Sequence, residues 1–487
     1  MREDISASYF DLPEKVLQFG SGVLLRGLPD YFIDKANKHG IFNGRVIVVK
    51  STSAGDISSF EQQDNLYTHC IRGLYKGKEE RKNIINASIS RTFSAVDQWN
   101  EILACASNPD LQVIISNTTE VGIQLTDDNI FASPPASFPG KLLAFLYQRY
   151  KLYHGDLNKG MVIIPTELIP DNGYLLQSIV LELSHRNALE TRFIDWLENA
   201  NYFCNSLVDR IVPGKPKESL REQLEKETGY DDELMIISEA YRLWAIETSS
   251  DRVKEILSFS KVDQGVIITS DITDFRELKL RLLNGTHTFS CGLAFLLGFS
   301  TVEKAMNNSL FSDFVTRLMT DEIGPSIVLK DVPSESVRDF MLSTIDRFRN
   351  PAIEHKWLSI TTQYTAKMMM RNIPLIKNYI EKYNRVPELM SLGFAAYIVF
   401  MKPAKIKAGE IYGERNNEYY LINDVNADRI AYAWEKDAGG IAEAILSDNA
   451  IWGENLNKLP GLTIAVQQKV NMLLSGNILQ LVQNTIG

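Results

Sequence analysis

The chain has 487 residues but only four cysteines, Cys70, Cys105, Cys204 and Cys291, all far apart in sequence. No CxxC pair occurs and no Cys/His spacing suggests zinc, so no metal centre is expected. Thiols this sparse fit a reducing, cytoplasmic location. No long basic run offsets the net charge of −10, which argues against a nucleic-acid partner. Long apolar runs are also missing. The stretches 291–299 and 390–401 are too short or too interrupted to span a bilayer. The first residues, MREDISASYFDLPEK, lack the positive segment and apolar core of a signal peptide, so none is expected. There is no internal repeat and no low-complexity tract.

What is present is ordinary globular material, 45% hydrophobic and long enough for two cores. Residues 15–19 (KVLQF) form a short apolar run ending at Gly20-Ser21-Gly22. Helical spacing follows over 23–38, through Leu24, Leu28, Tyr31, Phe32 and Ala36. Buried parallel strands are expected at 45–49, 111–115 and 161–164, with helices at 95–106, 140–153 and 174–184 between them. This alternation predicts an α/β fold, a Rossmann-like doubly wound parallel sheet, over residues 1–270. Residues 265–270 (GVIITS) read as the last strand. An all-α domain is expected over 271–487, with helices at 301–306, 310–321, 336–348, 357–372, 387–400, 427–437 and 462–474. Residues 407–423 read as an exposed loop or hairpin on it.

The first turn, Phe19-Gly20-Ser21-Gly22, has GxG but puts Leu25 where a third Gly would stand. Backbone N–H groups there could face a pyrophosphate, with Gly20 and Gly22 allowing close approach. The plainer reading is a Gly turn that serves only chain geometry. No acid ends the second strand, where Lys50, Ser51 and Thr52 stand, so these residues are compatible with either NAD or NADP. Residues 116–120 (SNTTE) follow another strand at its C-terminal end, where ligands of open sheets gather. They read equally well as a turn capping the next helix.

A third stretch, 275–295, reads as one helix carrying Lys279, Asn284 and His287. At about 100° per residue they fall near 0°, 140° and 80°. An ammonium, an amide and an imidazole can move a proton to an oxygen while polarising a carbonyl. Burial, or a cation such as Arg281, makes an ammonium easier to deprotonate. The plainer reading is a solvated basic helix turn. Gly285 within a helix costs about 1 kcal/mol against Ala, which asks for a packing or ligand reason.

KLRLLNGTH at 279–287 resembles K-x-R-x-L-N-x-x-H, the signature of the mannitol dehydrogenase family of polyol dehydrogenases. The resemblance runs nearly end to end. It includes QFGSGVLLRG (18–27), DNLYTHCIRGL (64–74), SNTTEVGI (116–123), IIPTELIPDNG (163–173), FCNSLVDRIVPGKP (203–216) and DRFRNPAIEHKWLSI (346–360). The longer segments point to a branch of the family acting on uronates.

That resemblance implies zinc-independent, NAD-dependent reduction of a ketouronate, D-tagaturonate, to D-altronate. Reduction of fructuronate and oxidation of a mannitol-type polyol are the sister activities. A nucleotide-binding sensor that kept the fold is the non-enzyme alternative. Lys279 is implied as general acid and base, with Asn284 and His287 completing the oxygen site. Asp209 matches an acid near the Lys, although an ion pair with Arg210 is the plainer reading. Phe19, Gly20, Gly22 and Asn117 are implied to face the cofactor, and Glu120 to lie near it. Where polyol dehydrogenases carry C-D-N-L, this chain has Thr166-Glu167-Leu168-Ile169, so one family amide is absent. Asn172 or a water is expected to replace it, with Glu167 accepting a substrate hydroxyl. Arg347 and Arg349 are candidates for the substrate carboxylate, against helix packing as the plainer reading.

Overall fold

The computed structural model describes residues 1–51, 57–118, 122–330, 332–436 and 439–486. The chain forms two compact units, one of Met1–Gly73 with Glu79–Ile272, the other of Leu74–Lys78 with Thr273–Gly487.

The first unit is built on a six-stranded sheet in the order β5-β2-β1-β6-β7-β8. These strands are β1 (Glu14–Phe19), β2 (Arg45–Lys50), β5 (Ile89–Ser94), β6 (Val113–Ser116), β7 (Val162–Pro165) and β8 (Tyr202–Phe203). All the pairs are parallel. The order reverses between β1 and β6, as in doubly wound dinucleotide-binding sheets. Runs such as RVIVVK are buried at every position, because helices cover both faces. Register pairs Phe19 with Val49 and Ser116, and Ser116 with Pro165, so the C-terminal ends of four strands share one edge.

Two small sheets complete the unit. One has the order β10-β3-β4, with β3 (Tyr67–Tyr75), β4 (Lys78–Asn86) and β10 (Ile236–Ser238). The other has the order β12-β11-β9, with β9 (Ser206–Asp209), β11 (Leu243–Glu247) and β12 (Val266–Thr269). The expected strand at 265–270 therefore exists but lies outside the main sheet.

The expected 23–38 helix is two helices, Val23–Gly27 and Pro29–Lys38. Pro29 has no N–H to continue the first helix, and its ring keeps Leu28 out of the α region, at φ −130° and ψ −76°.

The second unit is helical but not all-α. A three-stranded antiparallel sheet, β13 (Lys405–Lys407), β14 (Glu410–Arg415) and β15 (Glu418–Leu421), forms where an exposed loop or hairpin was expected. The expected 357–372 helix is broken after Ile360 by a turn in which Gln363 takes φ +53°. It resumes at Tyr364–Lys367 and widens into a π segment over Met368–Asn372. The expected 275–295 helix is likewise three pieces, α over Thr273–Leu278, π over Lys279–Gly285 and α over Thr286–Leu296.

Candidate active site

In the first unit the turn after β1 is held from below. The Gly20 N–H donates to the Val49 carbonyl at 2.9 Å, and the Asn117 N–H donates to the Phe19 carbonyl at 3.1 Å. Gly20 takes φ +130°, and a Cβ there would lie 2.8 Å from Leu25 Cδ1 and 3.1 Å from the Asn117 carbonyl oxygen. A Cβ on Gly22 would meet nothing within 4 Å, which leaves the open space a phosphate needs. The turn and the strand edge beside it therefore fit a dinucleotide, bound through main-chain groups.

Several expected side chains are spent on building this edge. Phe19 is fully buried in the core and packs on Phe138, so only its main chain lies at the turn. Asn117 Nδ2 donates to the Thr166 carbonyl (3.1 Å) and Thr166 Oγ1 (3.0 Å), tying β6 to β7. Glu167 accepts from the Thr118 N–H (2.8 Å), Thr118 Oγ1 (2.9 Å) and Ser116 Oγ (3.2 Å). It clamps the loop rather than waiting for a substrate hydroxyl.

Asn172 is buried, and its Nδ2 serves the carbonyls of Pro165, Glu167 and Ser206 at 3.1, 3.0 and 3.0 Å. Its Oδ1 accepts the Ser206 N–H at 2.9 Å, so no capacity is left to replace the missing family amide. Glu120 lies outside the described residues. Asp209 is buried at the end of β9, opposite Leu243. Neighbouring Arg210 turns inward to the carbonyls of Gly27 (2.7 Å) and Glu239 (2.9 Å).

Beneath the turn, Gln18 Nε2 donates to the Gly20 carbonyl (3.2 Å) and to Asp30 Oδ2 (3.3 Å). Full burial pushes the Asp30 carboxyl up to about 7, against the pull of the Gln18 bond and Arg26. Sequence reading missed this pair; a Gln inside an apolar strand was the available signal.

In the second unit the π segment changes the geometry expected of a regular helix. Its i→i+5 hydrogen bonding makes residues five apart near neighbours along the axis. Lys279 and Asn284 are such a pair within the π segment, closer in rotation about the axis than α geometry would leave them. Both are half-buried. Arg281 is turned elsewhere, to Glu277 (2.9 Å) and to the carbonyls of Met370 (2.7 Å) and Arg371 (2.8 Å). It thereby joins the two π segments. A Cβ on Gly285 would touch Asn372 and Leu375 at an ordinary 3.5 Å, so close packing does not explain this glycine.

His287 opens the following helix. Its ring stacks on Phe348 with centroids 4.0 Å apart, with His355 at 5.2 Å and Trp357 at 5.9 Å edge-on. Burial first, then His355, Arg347, Arg371 and Lys367, hold its pKa well below the ordinary value. The imidazole is therefore neutral at neutral pH. Its Nε2 is buried and has no protein partner.

Arg347 is buried beside this histidine pair, where its charge lowers His355 too. Arg349 is exposed and donates to Ser312 Oγ at 2.8 Å. Lys367, Arg371 and His355 were missed in the sequence; their signal was the K-x-x-x-R spacing at 367–371.

Among the described residues, no group of three or more His, Cys, Asp or Glu could hold a metal ion. No helix there is long and apolar enough to cross a membrane.

The pattern of the mannitol dehydrogenase Rossmann domain matches residues 14–257, and that of the mannitol dehydrogenase C-terminal domain matches residues 271–474. The chain belongs to the mannitol dehydrogenase family. Altronate oxidoreductase of Bacillus subtilis is 37% identical over 475 residues, 97% of this chain and 95% of its own length. That of Cronobacter sakazakii is 35% identical over 95% of each chain. In fold, the chain is similar to mannitol 2-dehydrogenase of Pseudomonas fluorescens, solved as a ternary complex with NAD and D-mannitol. The TM-score is 0.67, with 23% identity over 98% of this chain and 95% of that one. The chain thus joins the Rossmann sheet and helical unit of this family to a sequence nearer its altronate-acting members.

Proposed function

We propose that this mannitol dehydrogenase family member is an NAD-dependent oxidoreductase that interconverts D-tagaturonate and D-altronate. One observation carries the reading: Lys279 and Asn284 lie five residues apart within one π segment, and His287, neutral and with its Nε2 unpartnered, follows at the start of the next helix. The main chain at Gly20 and Gly22 would hold the pyrophosphate of NADH, which when bound would supply the hydride that reduces the ketone, and Asn117 ties β6 to β7 at that strand edge.

Lys279 gives its proton to the ketone oxygen during reduction and takes it back during oxidation. Asn284 donates a hydrogen bond to the same oxygen as charge builds on it. His287 offers Nε2 to that oxygen or to a neighbouring hydroxyl. It stays neutral, so it does not compete with Lys279 as the acid.

The substrate is a small linear acid. Four buried free thiols suit a reducing, cytoplasmic location.

Lys279→Ala tests the assignment. Turnover should fall at least about 1,000-fold, with NADH affinity within about twofold of wild type. Loss of NADH binding along with turnover would contradict the role given to Lys279.

A further inference from the structure

Two π segments lie against each other in the second unit, and cations gather where they meet. Lys367 and Arg371 stand four residues apart across the Met368–Asn372 segment. Arg371 Nη1 donates to Thr288 Oγ1 at 3.2 Å, and Thr288 Oγ1 donates to the Asn284 carbonyl at 2.8 Å. One hydrogen-bonded path therefore runs from Arg371 to the residue that would hold the reacting oxygen. Lys367 Nζ spends one hydrogen on the Ile360 carbonyl at 2.8 Å and keeps two.

Beside these cations three polar atoms are left buried without partners: Arg371 Nε itself, Asn372 Oδ1 on the next residue, and Nε2 of His287, whose pKa both cations lower. His287 itself is 9% exposed. Buried polar atoms are normally satisfied, so these three call for a partner that the chain does not supply. The sign of the charge identifies it. Burial lowers Arg371, and among the described residues its guanidinium makes no ion pair and donates only to Thr288. The carboxylate that acts on Lys367, Asp424, already accepts the N–H groups of Thr365 and Asn426. The missing ligand is an anion.

We propose that Arg371, assisted by Lys367, binds the carboxylate of the linear sugar acid and sets the preference for uronates over uncharged ketoses. The proposal rests on the functional reading above. It moves the carboxylate contact from Arg347 and Arg349 to a pair that no family signature marks. A six-carbon acid carries its carboxylate several bonds from its ketone. A carboxylate site where Arg371 reaches Thr288, one turn beyond Asn284, matches that separation in kind.

The test compares wild type, Arg371→Met, Arg371→Lys and Lys367→Met. D-tagaturonate reduction is followed by NADH absorbance, and D-altronate and its uncharged polyol, D-altritol, are titrated directly onto the NAD-bound enzyme. Arg371→Met should raise KM for D-tagaturonate and weaken D-altronate binding by about 100-fold. Altritol binding should change far less, and Arg371→Lys should recover part of the loss. NADH affinity reports that each variant is folded. A KM and an altronate affinity within threefold of wild type in Arg371→Met would overturn the proposal. If wild type fails to reduce D-tagaturonate, the functional reading falls. The titrations then still decide whether this cluster takes a carboxylate, since altronate must outbind altritol in wild type and lose that advantage in Arg371→Met.

Discussion

Two buried groups show how burial sets chemistry at the scale of single residues. His287 is kept neutral by burial and by the cations around it, which leaves its Nε2 as an acceptor for a hydroxyl or, in the other tautomer, a donor to an oxyanion. Asp30 is kept protonated by burial up to about pH 7, with one carboxyl oxygen accepting the Gln18 amide that also holds the Gly20 carbonyl. The raised pKa has a stability consequence with a definite sign. An unfolded Asp releases its proton near pH 4, while the folded one holds it to about 7. Between those values the folded state binds more protons, so its stability falls as pH rises, and the full loss is in place above about 7. Asp30→Asn cannot ionise. Its stability relative to wild type should improve between pH 5 and pH 8 by about 2–4 kcal/mol, read from denaturant midpoints at the two values. An equal difference at both pH values would contradict the buried, protonated assignment.

At the scale of elements, the Gly20 turn and the π segments do the positioning. Gly20 sits at φ +130°, with side chain and main chain too close for a Cβ, whereas Gly22 takes φ −67° and faces open space. Gly20→Ala should therefore cost about 1–3 kcal/mol in stability and weaken NADH binding. Gly22→Ala should weaken NADH binding with little change in melting temperature, because only the cofactor meets its Cβ. Thermal melts with NADH titrations check both, and equal destabilisation by the two would contradict the reading.

These elements also mark where sequence reading stopped. The strand KVLQF, its Gly turn and RVIVV were legible because burial on both faces demands unbroken apolar runs. The break at Pro29 was visible in the letters but overridden by periodicity. The π turns were not legible. Periodicity analysis assumes 3.6 residues per turn, and a single extra residue per turn leaves the apolar pattern nearly intact. The K-x-R-x-L-N-x-x-H spacing carried the site residues without revealing that Lys279 and Asn284 align by i→i+5 geometry. Asn172 and Glu167 were assigned to substrate because their hydrogen-bond partners, Ser206 and Thr118, lie 34 and 49 residues away. Such contacts leave no local trace.

At the scale of the whole molecule, the chain consists of a Rossmann-like sheet unit and a helical unit. The sheet contributes a main-chain cradle at the point where strand order reverses. The helical unit holds Lys279, Asn284 and His287, the groups proposed to move the proton, and the Lys367–Arg371 cluster proposed to take the carboxylate. Net charge −10 makes that cluster a local exception rather than part of a basic surface. The central claim is that this pairing reduces a ketouronate with NADH. It is tested most directly by NADH oxidation with D-tagaturonate and D-fructuronate in parallel, repeated with NADPH. The account predicts turnover of D-tagaturonate with NADH, with kcat/KM at least about tenfold above that for D-fructuronate and for NADPH. Activity confined to D-fructuronate, or to neither acid, would contradict it.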